Sequence, residues 1–295
     1  MTQKIVRTMS NIRNYMPVLA LALLILASCK KEETNGTKAV FSYVADGFIV
    51  NFTNFSSNAS SYHWDFGDGD TSIARSPQHI YRAKGDFLVT LTATMGTTES
   101  KFTDTVVVLG PNIKIDGDFT DWENVPYATV NEGGAGGNIL GIKTFASSDF
   151  LNFYLEGTPE FNLAVMDIYI DADNNPQTGY ITWMYPVASG ADFLIEGNFD
   201  RANPLASAGS IFRHNAPDNG WSWQDIATFG EVLLFSQMKT LGGKNVLEFS
   251  LKKSILGNTR NYVNFALVEM DAGWSPVGSI PVSQQDTSKF LPLQL

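Results

Sequence analysis

Short runs in which apolar residues recur at every second position constrain this chain more than any other feature. Phe48, Val50 and Phe52 alternate with Ile49, Asn51 and Thr53, and Phe87, Val89, Leu91 and Ala93 mark one face of a later run with threonines opposite. The same period sets Leu151, Phe153 and Leu155, then Leu247, Phe249 and Leu251, then Val263, Phe265 and Leu267. A period of two turns one face of an extended strand inward and the other outward. Gly, Asn, Asp, Ser and Thr punctuate these runs, and there are no heptads and few helical periods. The pattern predicts an all-β chain of half-buried strands. Aromatic residues at 12% supply bulk for packed cores, and the length suits two sandwiches. Cys29 stands alone, so no intrachain disulfide can staple the fold and the cores must hold it.

The surroundings of Cys29 give it another use. Lys4, Arg7 and Arg13 make a positive start without an acid, and Met16 to Ala27 then runs apolar. About a dozen apolar residues fit a signal-peptide core, whereas a spanning helix needs roughly 20. Leu26-Ala27-Ser28-Cys29 resembles a lipobox, the bacterial lipoprotein cleavage signal. That resemblance implies removal of residues 1–28 and lipidation of Cys29. Residues 29–37, beginning Cys29-Lys30-Lys31-Glu32-Glu33, read as a flexible tether. Charges directly after the Cys resemble the export signals of surface lipoproteins in Gram-negative glycan-degrading bacteria. The implied place is the outer membrane, lipid-anchored and facing outward.

The three bases before Cys29 carry no acid with them, so the remainder sits at −13 against −10 for the whole chain. An acidic surface disfavours nucleic acid and anionic lipid as partners and leaves neutral ligands, cations and proteins.

Residues 38–109 read as a small β-sandwich. Trp64-Asp65-Phe66-Gly67-Asp68-Gly69 matches the signature of the polycystic kidney disease (PKD) domain, an immunoglobulin-like sandwich. His79-Ile80-Tyr81 and Gly85-Asp86-Phe87-Leu88-Val89-Thr90-Leu91 match the later strands of that family. Trp64 and Phe66 are expected in its core, with the Asp-Gly pairs in a tight turn. Asp65, Asp68 and Asp70 are an alternative calcium set there. The resemblance implies a spacer.

Gly110-Pro111 marks the boundary to a larger β-sandwich over 111–295. Its opening, Ile115-Asp116-Gly117 and then Trp122, resembles carbohydrate-binding modules of family 9 and their DOMON-like relatives, as do Asp167-Ile168-Tyr169-Ile170-Asp171 with its acidic turn, Gly190-Ala191-Asp192-Phe193, and Val246-Leu247-Glu248-Phe249. Relatives of this kind bind sugars, haem or nothing known, so the resemblance leaves the ligand open.

Trp183, Tyr185, Trp221 and Trp274 lie in polar or Gly-rich loops and are expected to face a carbohydrate. A flat aromatic face suits the C–H face of a pyranose ring, and an aromatic on a rigid loop loses little entropy on binding. In Trp221-Ser222-Trp223, Trp221 is expected to protrude; Trp122 is assigned to the core. Asp171, Asp173 and Asn175 alternate in a turn as calcium ligands often do, so a structural calcium is the one cofactor suggested. His63, His79 and His214 lack metal-ligand spacing. No nucleophile motif or phosphate loop occurs, so a non-enzyme is expected. The reading is a surface lipoprotein that captures polysaccharide for a neighbouring outer-membrane transporter and its hydrolases. The alternatives are an unrecognised glycoside hydrolase or lyase, or a protein-binding adhesin. The anchor has a direct test: Cys29→Ala is expected to leave the protein unlipidated and absent from carbonate-washed membranes, and its retention there would refute the lipobox reading.

Overall fold

The computed structural model describes residues 36–215, 217–257, 259 and 261–295; Cys29 and its tether lie outside them. The first unit holds β1 (Phe41–Asp46), β2 (Ile49–Asn54), β3 (Ser61–Asp65), β4 (Thr71–Ser72), β5 (Gln78–Ile80), β6 (Gly85–Met95) and β7 (Thr98–Val108). They form two antiparallel sheets, β1-β2-β5 and β4-β3-β6-β7. The alternation read in the sequence is the alternation of burial: Val50, Phe52, Trp64, Phe66, Val89, Leu91 and Ala93 all point inward. Trp64 is fully buried and its indole N–H donates to the Ala74 carbonyl, which removes the cost of burying that donor. Asp65 accepts the Gly67 N–H and Asp68 the Asp70 N–H, so both acids shape the turn itself.

The second unit is a larger sandwich. Its strands are β8 (Tyr127–Val130), β9 (Ile139–Ala146), β10 (Phe150–Gly157), β11 (Val165–Asp171), β12 (Phe193–Asn198), β13 (Ala208–His214), β14 (Trp223–Thr228), β15 (Leu233–Phe235), β16 (Lys239–Leu241), β17 (Lys244–Lys252), β18 (Tyr262–Met270), β19 (Pro276–Ile280) and β20 (Leu291–Gln294). A six-stranded sheet runs β15-β17-β10-β9-β8 with β16 on β17, and a seven-stranded sheet runs β14-β13-β12-β11-β18-β19 with β20 on β18. Between them lies one core, in which Phe153 stacks on Phe249 at 4.7 Å and meets Phe265 edge-on at 5.4 Å. The residues between these core positions face away from it, and each sheet therefore has an outer face that needs separate cover.

The segment 113–125 covers part of the outer face of the six-stranded sheet. Glu248, fully buried on β17, fixes it. One carboxylate oxygen accepts the Asp116 and Gly117 N–H groups at 3.0 and 2.6 Å, and the other accepts the Trp122 indole N–H at 2.8 Å. Burial pushes the Glu248 carboxyl above its ordinary pKa, and these three donors work against that shift. Trp122 is buried, as its assignment requires, beside Tyr154, Val125 and Val246. The same apolar cluster continues into the first unit, where Phe48 meets Phe145 edge-on at 5.9 Å and the Lys84 ammonium donates to the Ala146 carbonyl. Glu248→Ala strands three buried donors and opens a cavity. It is expected to cost about 3 kcal/mol or more, lowering the melting temperature of the larger unit by on the order of 10 °C. Calorimetry of the full chain checks this, and a shift under about 2 °C would show that Glu248 does not hold the segment.

Candidate functional site

The outer face of the seven-stranded sheet is covered differently. Residues 172–192 and 281–290 fold across it and bury Tyr169, Leu194, Ala266 and Val268 beneath Met184, Tyr185 and Phe290. Tyr185 is the correction to the expected set of sugar-facing aromatics. It is fully buried, its ring packs edge-on to Phe290 at 5.3 Å, and its hydroxyl donates to the Pro281 carbonyl at 2.7 Å. A tight turn explains why neighbours in sequence part company. The Tyr185 N–H donates to the Thr182 carbonyl, and the Thr182 hydroxyl accepts the Met184 N–H, so Met184 and Tyr185 turn inward while Trp183 stays 65% exposed.

A second loop, between β13 and β14, carries Trp221. Asn219 ties it to the first: its amide donates to the Gln177 and Gly179 carbonyls, and its own carbonyl accepts the Ile181 N–H. The His214 ring pairs with the Gly220 carbonyl at 2.7 Å. Trp221 is 60% exposed, whereas Trp223, at the start of β14, is half-buried. Tyr180 packs edge-on against both, at 5.1 and 5.7 Å, and the two indoles meet at 5.7 Å. Tyr180 thus anchors an aromatic cluster that joins two loops. Sequence reasoning passed over it because only the pairing of Tyr180 with Ala191 places it there.

Trp274 stands on another hairpin. The register Val165↔Met270 and Asp171↔Asn264 puts the β18–β19 turn at the end of the sheet where β11 begins, whereas the 172–192 loop leaves from the end where β11 finishes. Trp274 is 57% exposed and adopts φ +63°. A bulky residue in left-handed backbone is strained by about 1 kcal/mol or more. Asp271 holds it there: its carboxylate accepts the Gly273 and Ser275 N–H groups and its carbonyl accepts that of Trp274.

Polar groups share this face. Asp167 on β11 pairs with Glu196 on β12, which pairs with Ser210 on β13, whose hydroxyl donates to Asp225. Asp167 is buried and takes one hydrogen bond, from the Tyr169 hydroxyl; its other oxygen has no partner among the described residues. Burial and the neighbouring Glu196 push its pKa up to about 7.

The acidic turn after β11 brings together Asp171, Asp173 and Asp192, whose carboxylate oxygens lie within 4.8 Å of one another. Asn175, the third expected ligand, lies in the same turn: its side-chain oxygen accepts the Gln177 N–H, and its backbone N–H donates to both Asp171 and Asp173. Asp192 joins the acids because Ile170 pairs with Phe193, which sets the residue before β12 beside Asp171. Burial raises the Asp171 pKa to about 6, with Asp192 and Asp173 adding to it against a hydrogen bond from Asn264. Three oxygens of this kind suit a hard cation, with the remaining ligands from carbonyls or water. In the first unit Asp68 and Asp70 cluster instead with His79, which bonds Asp68 at 2.7 Å; Asp65 is not part of that group.

Comparison with known proteins divides along the two units. The PKD-domain family model matches residues 37–108. The PKD1 domain of the Vibrio cholerae metalloprotease PrtV is 35% identical over 25% of this chain and 96% of that one, with a TM-score of 0.24. The PKD1 domain of Vibrio anguillarum Epp is 32% identical over 27% of this chain and 100% of that one, with a TM-score of 0.26. A family 9 carbohydrate-binding module from Caldicellulosiruptor kristjanssonii, solved with cellotriose, is 15% identical over 62% of this chain and 89% of that one, with a TM-score of 0.36. No curated protein gives a match. Through residues 37–108, with the buried Trp64 and the Asp-Gly turn after it, the chain belongs to the PKD-domain family.

Proposed function

We propose that this protein is a non-catalytic glycan-binding lipoprotein. Cys29 would anchor it to the outer membrane, and the larger sandwich would hold oligosaccharide or polysaccharide for a neighbouring uptake system. The observation that carries the reading is the exposure of three indoles on braced loops, Trp183, Trp221 and Trp274, the last in strained backbone. An aromatic π-face attracts the polarised C–H bonds of a sugar ring, and Glu196, Ser210 and Asp225 on the same outer sheet face offer groups that bond hydroxyls. A Trp kept exposed and strained gives nothing to stability, so its value lies in what it touches. The likeness of the sequence motifs to family 9 modules points the same way.

The strain gives the test its form. Trp274→Gly relieves the left-handed backbone, so the melting temperature is expected to hold or rise while glycan affinity falls about 30-fold or more. Trp183→Ala and Trp221→Ala are expected to weaken binding with stability within about 0.5 kcal/mol of the parent. Titration of the full chain with cello-, manno- and xylo-oligosaccharides, with melting curves alongside, decides it. Binding that survives all three substitutions would remove these aromatics from the site. Glycan hydrolysis or cleavage by the purified protein would favour the enzyme alternative.

A calcium ion among Asp171, Asp173 and Asp192 belongs to the same reading, since it would neutralise three crowded carboxylates and fix the loop that carries Trp183. A ligand at 100 times its Kd stabilises the folded state by about 2.7 kcal/mol. Millimolar calcium is therefore expected to raise the melting temperature over that in chelator, and Asp192→Asn to abolish the rise. Equal melting temperatures in calcium and chelator would exclude the site.

A further inference from the structure

The six-stranded sheet carries a second groove on its outer face, across the core from Trp183 and Trp221. Its volume is about 850 Å³. Lys239, Phe119, Tyr154, Lys143 and Tyr127 form a continuous row along it. The Lys239 ammonium lies 5.9 Å from the Phe119 ring, Phe119 meets Tyr154 edge-on at 5.6 Å, and the Lys143 ammonium lies 5.5 Å from Tyr154 and 4.9 Å from Tyr127. Tyr127, at the end of the row, is 40% exposed, so its ring is partly accessible to a ligand.

Of the charged groups in this groove, Glu156 is in an ion pair and the two lysines are not. Glu156 pairs with Lys244 at 2.8 Å and accepts the Tyr154 hydroxyl. Asp118 accepts the Thr120 N–H. Glu123 stands exposed at the rim, where water screens it. Lys143 and Lys239 each donate to one backbone carbonyl, of Trp122 and Gly117, and neither has an ion-pair partner among the described residues. An ammonium has three donors, so each lysine keeps two to offer. Burial holds the Lys143 pKa below its ordinary value, while the nearby Glu156 and Glu123 carboxylates pull it the other way. Two lysines without an ion pair stand together here in a chain of net charge −10, beside Asp118, Glu123 and Glu156.

We propose that this groove binds an anionic saccharide, its ring on Tyr127 and its negative group between Lys143 and Lys239. The site is independent of the tryptophan loops. With both sites occupied by one chain of mixed neutral and acidic sugars, the second contact becomes intramolecular and raises overall avidity.

The test titrates the full chain with three probes: an oligogalacturonate, a sulfated glucan oligosaccharide and a neutral cello-oligosaccharide. At least one anionic probe is expected to bind, with affinity falling as salt rises from about 50 to 300 mM. The double variant Lys143→Gln/Lys239→Gln is expected to lose about tenfold or more of that affinity. Tyr127→Ala and Lys239→Gln, both at exposed positions, are expected to weaken it at unchanged melting temperature, which keeps the test valid if loss of Lys143 disturbs the fold. Trp221→Ala should leave it intact, so failure of this site and failure of the tryptophan site read out separately. Which anionic probe binds tells a carboxylate from a sulfate ester. Absence of binding by both, or binding indifferent to Lys143, Lys239 and Tyr127, would overturn the proposal.

Discussion

The carboxylate of Glu248 is the interaction on which the arrangement of the two units depends. It gathers backbone donors at Asp116 and Gly117, the latter 131 residues earlier in the chain, together with the Trp122 indole. A buried carboxylate costs several kcal/mol unless its lone pairs are met by good donors, and charge-assisted N–H bonds meet them here. Gly117, at φ +80°, lets two successive N–H groups converge on one oxygen. The opening motif of the larger unit therefore has a physical meaning. Its Gly provides the turn, its Trp provides both the cover and the third donor, and Glu248 receives all three.

This clamp decides what becomes of one outer face of the sandwich. With Trp122 and Val125 held down, the apolar surface continues through Phe145 to Phe48, and the PKD domain packs against it instead of hanging free. Gly110 sits in this junction at φ +79°, where a Cβ would meet the Phe145 ring at 2.5 Å. A larger residue there would push the units apart. Glu269 repeats the device at the opposite sheet, accepting the Asn162 and Leu163 N–H groups on one oxygen. Two buried glutamates thus fix two chain crossings that hydrophobic packing alone would leave free to slide.

The other outer face is organised by loops. Its floor is apolar under Tyr185 and Phe290 and acidic along Asp167 and Glu196, and its rim carries exposed indoles. Burial and exposure divide cleanly between neighbours: Tyr185 and Met184 hold the loop down, and Trp183 between Thr182 and Met184 is left outside. Backbone strain at Trp274 belongs to the same division, since a residue chosen for stability at that φ would be Gly or Asn.

The strands, the two sandwiches and the cores were legible in the order of residues. A period of two is a local property, and every run that showed it buries the face it marked. The PKD signature was equally legible, because Trp64, Phe66 and the Asp-Gly turn lie within one stretch of chain. Exposure of Trp183, Trp221 and Trp274 came from their loop settings, and Trp122 was readable as core. Which neighbours face which way was settled only by tertiary contacts. Tyr185 looked like Trp183 in sequence, yet an i to i+3 bond turns one inward and leaves the other out. Asp192 came to stand beside Asp171 because strand register places residues distant in sequence side by side, and register is set by packing on both faces. The row from Lys239 to Tyr127 draws on five segments of chain. No local pattern could announce it, because the contacts that bring these rings and lysines together exist only once the sheet has formed.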